Sequence, residues 1–244
     1  MPSKTLRIPT PDGLADAFAA FPDGGGRHPG VLMYPDGFGV RSVLREMARE
    51  LAGHGYYVLV PNVFYRHGPA PVIELPEYIG EDDRAAVFAR LMPLIEAHTV
   101  DRVLRDADAC LGFLSAQPEV DGGPVAVTGY CIGGLLATRT AAARPRQVAA
   151  LAAFHAPVGA DGPDALAGIT ARVHFGHAEG DMTPDALREL DRALDAAQVE
   201  YSSEVYPGTV HGFTMADTDA FDPAGLRLHW ERLLSLLGRA LAGG

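Results

Sequence analysis

The stretch VAVTGYCIGG, Val125–Gly134, joins two different patterns. Its first half is a short apolar and β-branched run, as in a strand buried on both faces. From Cys131 the chain continues as CIGGLLATRTAAA, rich in the Ala and Leu that favour a helix. The joint, Gly129-Tyr130-Cys131-Ile132-Gly133, has the Gly-x-Cys-x-Gly spacing of a nucleophile elbow with cysteine in the place of serine. The spacing has a steric cause: the nucleophile sits on a sharp strand-to-helix turn, and the flanking positions press on neighbouring backbone where only glycine fits. The following helix would aim its N-terminal dipole and free N–H groups at the sulfur, and the Ile132 N–H is placed to donate to a developing oxyanion. The motif alone leaves a second reading open, a small buried hydrophobe ahead of a glycine-rich helix start.

Working outward, strand and helix patterns alternate. TLRIP and LADAFAAF read as two short strands around Pro11-Asp12-Gly13, and VLMY, YYVLVP, VAALAAF, ARVHFG and YSSEVYPG as further strands. Helical spacing marks VRSVLREMARELAGHG, about Asp82–Ala97, Val100–Ala116 and PDALRELDRALDAAQ. A closing helix, AGLRLHWERLLSLLGRAL, sets Leu226, Trp230, Leu233, Leu234 and Leu237 on one face. Residues 62–80 form a long Pro-rich loop of the kind that often serves function. The expectation is one α/β domain over 1–244, a mainly parallel central sheet of about eight strands with helices on both faces. In such sheets ligands bind beyond the carboxyl ends of the strands. The loops after Tyr34, Gly129, Phe154, Phe175 and Tyr206 should therefore converge.

Composition limits the partners. The formal net charge of −11 and the lack of a Lys/Arg block exclude nucleic acid and disfavour anionic membrane surfaces. No secretory signal pattern or membrane-length apolar run is present, so a cytoplasmic protein is expected. The two cysteines, Cys110 and Cys131, form neither a disulfide framework nor a CxxC pair, so no zinc or redox site is expected of them. Cys110, in the middle of DADACLGFL, reads as a core residue.

A thiol nucleophile needs a base, and the base needs an orienting acid. Elbow enzymes place them in the order nucleophile, acid, histidine. His211 follows the last strand and precedes Gly212-Phe213, the place of the base. His155 and His177, in loops at the edge of the site, are expected to line it. His174 lies within a strand, and His54, His98 and His229 belong to helix surfaces or packing. The loop HAEGDMTP offers Glu179 and Asp181, with Asp181 the better orienting acid; a helix cap is its other reading. Three partners in the right order at three strand ends are far more specific than any one of them.

Together the N-terminal hairpin, Gly-Tyr-Cys-Ile-Gly-Gly, the Asp181 loop and His211-Gly212-Phe213 resemble the dienelactone hydrolase family, the cysteine branch of the α/β-hydrolases. The resemblance spans essentially the whole chain. It implies the α/β-hydrolase fold and a Cys131–His211–Asp181 triad that opens a small ester or enol-lactone through a thioester. It implies a monomer or small homo-oligomer, and no cofactor. Asp36, in YPDGFG, takes the place of a family glutamate that pairs with the resting thiol. Aspartate is one methylene shorter, so Asp36 either pairs with Cys131 or only lines the site. Gly37 N–H is the expected second oxyanion donor. The family grips a substrate carboxylate with two arginines. Met215 stands where one would follow the histidine, and Arg66 or Arg84 is the candidate for the other. Tyr130 and Phe38 join Arg66 and Met215 as expected substrate contacts. The alternative is a non-catalytic binding protein for a small ligand on the same fold.

Overall fold

The computed structural model describes residues 1–241. Its elements run β1 (Ser3–Thr10), β2 (Gly13–Ala20), β3 (Gly30–Tyr34), α1 (Ser42–Gly53), β4 (Tyr57–Pro61), α2 (Glu81–Glu96), α3 (Val100–Ser115), β5 (Val125–Tyr130), α4 (Ile132–Ala143), β6 (Val148–Phe154), β7 (Arg172–Ala178), α5 (Pro184–Ala196), β8 (Tyr201–Tyr206) and α6 (Pro223–Leu241). The eight strands form one sheet in the order β1-β2-β4-β3-β5-β6-β7-β8. β1 and β2 form an antiparallel hairpin, β2 pairs antiparallel with β4, and every other pairing is parallel.

Every residue of β3, β4 and β5 is buried, which explains their unbroken apolar runs. Helices cover both faces. α1 and α6 close one core, with Val31, Met33, Val58 and Val60 of the sheet against Leu44, Leu51, Leu233 and Leu237. α3, α4 and α5 close the other, with Leu32, Leu59 and Leu151 against Leu111, Leu136 and Leu194. A third, small cluster joins Phe38, Ile79, Val87 and Leu91 and seats α2 beside the loop after β3. The long loop reaches the same place: Ile79 N–H donates to the Asp217 carbonyl at 2.8 Å.

One expectation about α6 is corrected. Its buried side is Gly225, His229, Leu233, Leu236 and Leu237; Leu226, Trp230 and Leu234 flank it, partly buried. Two local causes rotate the stripe. A Cβ on Gly225 would lie 2.7 Å from Thr209 Cγ2 and 2.8 Å from Phe213 Cδ2, so only glycine lets the helix start this close. His229 is fully buried with its Nε2 3.0 Å from the Tyr130 hydroxyl, a bond that gives one ring nitrogen a partner inside the core. Among the described residues no helix is long and apolar enough to cross a membrane.

Candidate active site

Cys131 occupies the turn between β5 and α4 with φ 53° and ψ −124°, a strained backbone for a residue other than glycine. Its N–H donates to the Phe154 carbonyl at 3.1 Å and its carbonyl accepts from Gly134 N–H at 3.0 Å. The glycines around it are sterically required. A Cβ on Gly129 would overlap the Gly133 carbonyl and stand 2.7 Å from Gly134 N. A Cβ on Gly133 would overlap the Pro35 carbonyl, and one on Gly134 would overlap the Ala156 methyl. Strand, turn and helix are thus locked together, with the sulfur raised at the sheet's carboxyl end. Ile132 is the first residue of α4, so its N–H has no acceptor inside the helix.

A cleft of about 370 Å³, open mouth included, has Cys131 and His211 in its wall together with Asp36, Gly37, Phe38 and Met215. Four loops supply it, those after β3, β5, β6 and β8, and α2 closes the side with Arg84 and Phe88. The loop after β7 brings Asp181 to the rear of the histidine: Asp181 Oδ1 is 2.9 Å from His211 Nδ1, leaving Nε2 free to act on a substrate. The other Asp181 oxygen accepts from Ala178 N–H at 3.2 Å, which fixes the carboxylate. Helix α5 is capped instead by Thr183, whose hydroxyl accepts from Ala186 N–H, so Asp181 is not needed as its cap. Glu179 accepts from Gly208 N–H and braces the loop that leads to His211. Burial pulls the His211 imidazole down, but the Asp181 hydrogen bond and the Cys131 sulfur outweigh it and raise it to about 10. His211 is therefore an imidazolium at neutral pH.

Asp36 lies in the cleft wall and is engaged elsewhere. Its Oδ1 accepts from Arg41 Nη1 at 2.6 Å and from Phe38 N–H at 3.1 Å, and its Oδ2 accepts from Arg41 Nη2 at 3.0 Å. Arg41 also holds Asp217 through Nε at 2.5 Å and Nη2 at 3.0 Å, and packs over the Phe38 ring. Burial pushes the Asp36 carboxyl up and Arg41 opposes it. Asp36 thus ties the Gly37 turn to the segment after His211, and its hydrogen bonds go to Arg41 and Phe38, not to the thiol. Arg41 was not singled out in the sequence: it lies next to α1, and its pairing with Asp217 spans 176 positions.

His155, the residue after β6, lines the cleft as expected. It is fully buried at φ 39°, its Nε2 is 2.8 Å from Thr214 Oγ1, and its ring meets the His211 ring edge-on at 5.1 Å. Burial and the neighbouring histidines pull it well below its ordinary value, so it is neutral. His177 does not line the cleft, because β7 runs on to Ala178 and His177 bonds Ser203 Oγ at 3.0 Å inside the sheet.

Two further expectations are corrected. Arg66 is not in the cleft wall; its guanidinium bridges Asp12 at 2.6 Å and Asp106 at 2.7 Å, tying the N-terminal hairpin to α3. Tyr130 is fully buried beneath the elbow with its hydroxyl on His229, so it supports the turn and faces no substrate. Arg84, the other candidate, does line the cleft and pairs with Asp219. Cys110 is buried in α3, where desolvation pushes its thiol up to about 12, so it is unreactive. Among the described residues no three His, Cys, Asp or Glu side chains gather as a metal ion would need.

Comparison with known proteins identifies a family and a fold. The model of the "Dienelactone hydrolase family" matches residues 15–241. The carboxymethylenebutenolidase of Pseudomonas sp. (strain P51) is 27% identical over 217 residues, covering 88% of this chain and 86% of that one. Two solved structures share the fold. A dienelactone hydrolase-like promiscuous phosphotriesterase from metagenomic libraries is 22% identical with a TM-score of 0.79, over 98% of this chain and 99% of that chain. The dienelactone hydrolase of Anabaena variabilis is 16% identical with a TM-score of 0.70, over 98% of each.

Proposed function

The chain belongs to the dienelactone hydrolase family, and from that premise we propose that it is a cysteine-dependent hydrolase of a small ester or lactone, working without a cofactor. One observation carries the reading: a cysteine held at positive φ on a glycine-locked elbow shares a cleft with a histidine whose far nitrogen is bonded to an aspartate. A binding protein has no need of that combination.

The Cys131 sulfur attacks the substrate carbonyl carbon, and the carbonyl electron pair moves onto oxygen. The N–H groups of Ile132 and Gly37 hold that oxyanion. As it collapses, the carbon–oxygen bond to the leaving group breaks, and His211 gives its proton to the departing alkoxide or ring oxygen. A water then attacks the thioester and passes a proton to His211. The carbon–sulfur bond breaks, the carboxylic acid leaves, and the Cys131 sulfur again faces a protonated His211. Asp181 fixes the tautomer and orientation of His211 throughout and stabilises its charged form.

The test is steady-state hydrolysis of a neutral aryl ester and a simple lactone. Cys131→Ala should abolish turnover, and Asp181→Asn should lower kcat by about 10²- to 10⁴-fold. A Cys131→Ala protein that keeps wild-type turnover would show that the cleft works some other way.

A further inference from the structure

The Asp181 hydrogen bond holds the His211 ring at one atom, Nδ1, at 2.9 Å. A single bond of this kind leaves the ring free to turn about it. The His211 side chain is 44% exposed, and solvent gives it no support on that side. The plane of the ring therefore depends on what packs against its covered side. Among the described residues one aromatic ring does so, that of His155, edge-on with centroids 5.1 Å apart and planes at 71°.

His155 is itself held from several directions. It is fully buried, its N–H donates to the Gly176 carbonyl at 2.8 Å, and its Nε2 is 2.8 Å from Thr214 Oγ1. The Phe213 ring meets it edge-on at 5.2 Å. Phe213 and Thr214 belong to the loop that carries His211, so one side chain grips both the base and its loop. The carbonyl of the preceding Phe154 accepts from Cys131 N–H at 3.1 Å, which ties the same turn to the nucleophile. Burial keeps His155 neutral, so it lies against the His211 imidazolium without repelling it.

The backbone of His155 points the same way. Its φ is 39°, and among the described residues only Cys131 and Gln198 share a positive φ without being glycine. Glycine enters this region without strain, whereas a residue with a side chain enters it at a cost. That cost is offset where the side chain is used.

We propose that His155 is a positioning residue of this site: its ring, tethered by Thr214, fixes the plane of His211 so that Nδ1 meets Asp181 and Nε2 is presented to the sulfur and the substrate. The inference rests on the hydrolase reading above.

The experiment uses two variants and two readouts, steady-state hydrolysis of 4-nitrophenyl acetate and the rate at which iodoacetamide alkylates Cys131 at neutral pH, followed by peptide mass. His155→Asn suits a left-handed backbone and keeps a polar group but removes the ring. It should lower kcat by about tenfold or more, as a misplaced reacting group does, with little change in KM. It should also slow the alkylation, because an imidazolium turned away from the sulfur no longer favours the reactive thiolate. Thr214→Val has nearly the same shape and cuts only the tether; its kcat and alkylation rate should fall between those of wild type and His155→Asn. A His155 that merely fills space predicts the opposite alkylation result, since a loosened site exposes the thiol and speeds its reaction. A His155→Asn protein with wild-type kcat, or with faster alkylation than wild type, overturns the inference and leaves the hydrolase reading standing. If His155→Asn does not fold, Thr214→Val decides by the same two readouts. A Cys131→Ala protein as active as wild type overturns the hydrolase reading and this inference with it.

Discussion

Gly129→Ala is the sharpest structural perturbation available at the elbow. The new methyl would overlap the Gly133 carbonyl and lie 2.7 Å from Gly134 N. Both neighbours are backbone atoms of the first turn of α4, so no side chain can swing aside. An unstrained contact of this kind needs about 3.5 Å, so the Gly134 N contact alone demands that β5 and α4 part by roughly 0.8 Å, and the Gly133 carbonyl demands more. Overpacking of this kind costs about 1–3 kcal/mol, which for a chain of this length lowers Tm by roughly 2–12 °C. The same displacement moves Cys131 relative to His211 and the two N–H donors. A misplacement near 1 Å costs about 10²-fold in rate. Differential scanning calorimetry and aryl-ester kinetics on the same sample read both effects. Gly112→Ala is the control: it lies inside α3, where an added Cβ meets nothing within 4 Å, and it should stabilise by about 0.5–1 kcal/mol. A Gly129→Ala protein that melts and turns over like wild type would refute the steric account of the elbow.

Arg41→Met leaves Asp36 buried and without its cation, and should cost about 3–5 kcal/mol in urea unfolding; adding Asp36→Asn should return part of that loss. An unchanged urea midpoint would mean that Arg41 does not brace the Gly37 turn. The His211 imidazole is raised from 6.5 to about 10, so the folded state holds its proton more tightly than the unfolded chain. Its contribution to stability is full below about pH 6.5 and is lost as pH rises toward 10. The Tm difference between wild type and His211→Gln should shrink over that window; a difference that grows with pH would contradict the assignment.

The backbone pattern was largely legible in the sequence. Buried parallel strands announce themselves as VLMY or YVLVP, because both faces are covered and alternation disappears. The elbow was legible too, because its glycines answer a local steric demand within a few residues. The misses all depend on distant partners. Arg66 looked free in FYRHG, but Asp12 and Asp106 claim it. Tyr130 sits next to the nucleophile in sequence, yet the strand's alternation turns it down toward His229 on α6. The α6 stripe rotated because a histidine with a hydroxyl partner can be buried as well as a leucine. Asp36 was recognised as a cleft residue, but its partner Arg41 gave no local signal, since the pairing makes sense only once Asp217 is brought alongside.

The most direct test of the central claim is intact-mass spectrometry of the protein quenched in acid within the first turnover of an activated ester. The wild-type protein should gain the acyl mass, Asp181→Asn should gain it slowly, and Cys131→Ala should never gain it. Acyl mass on Cys131→Ala equal to that on wild type, or none on a wild-type protein that is turning over substrate, would contradict it.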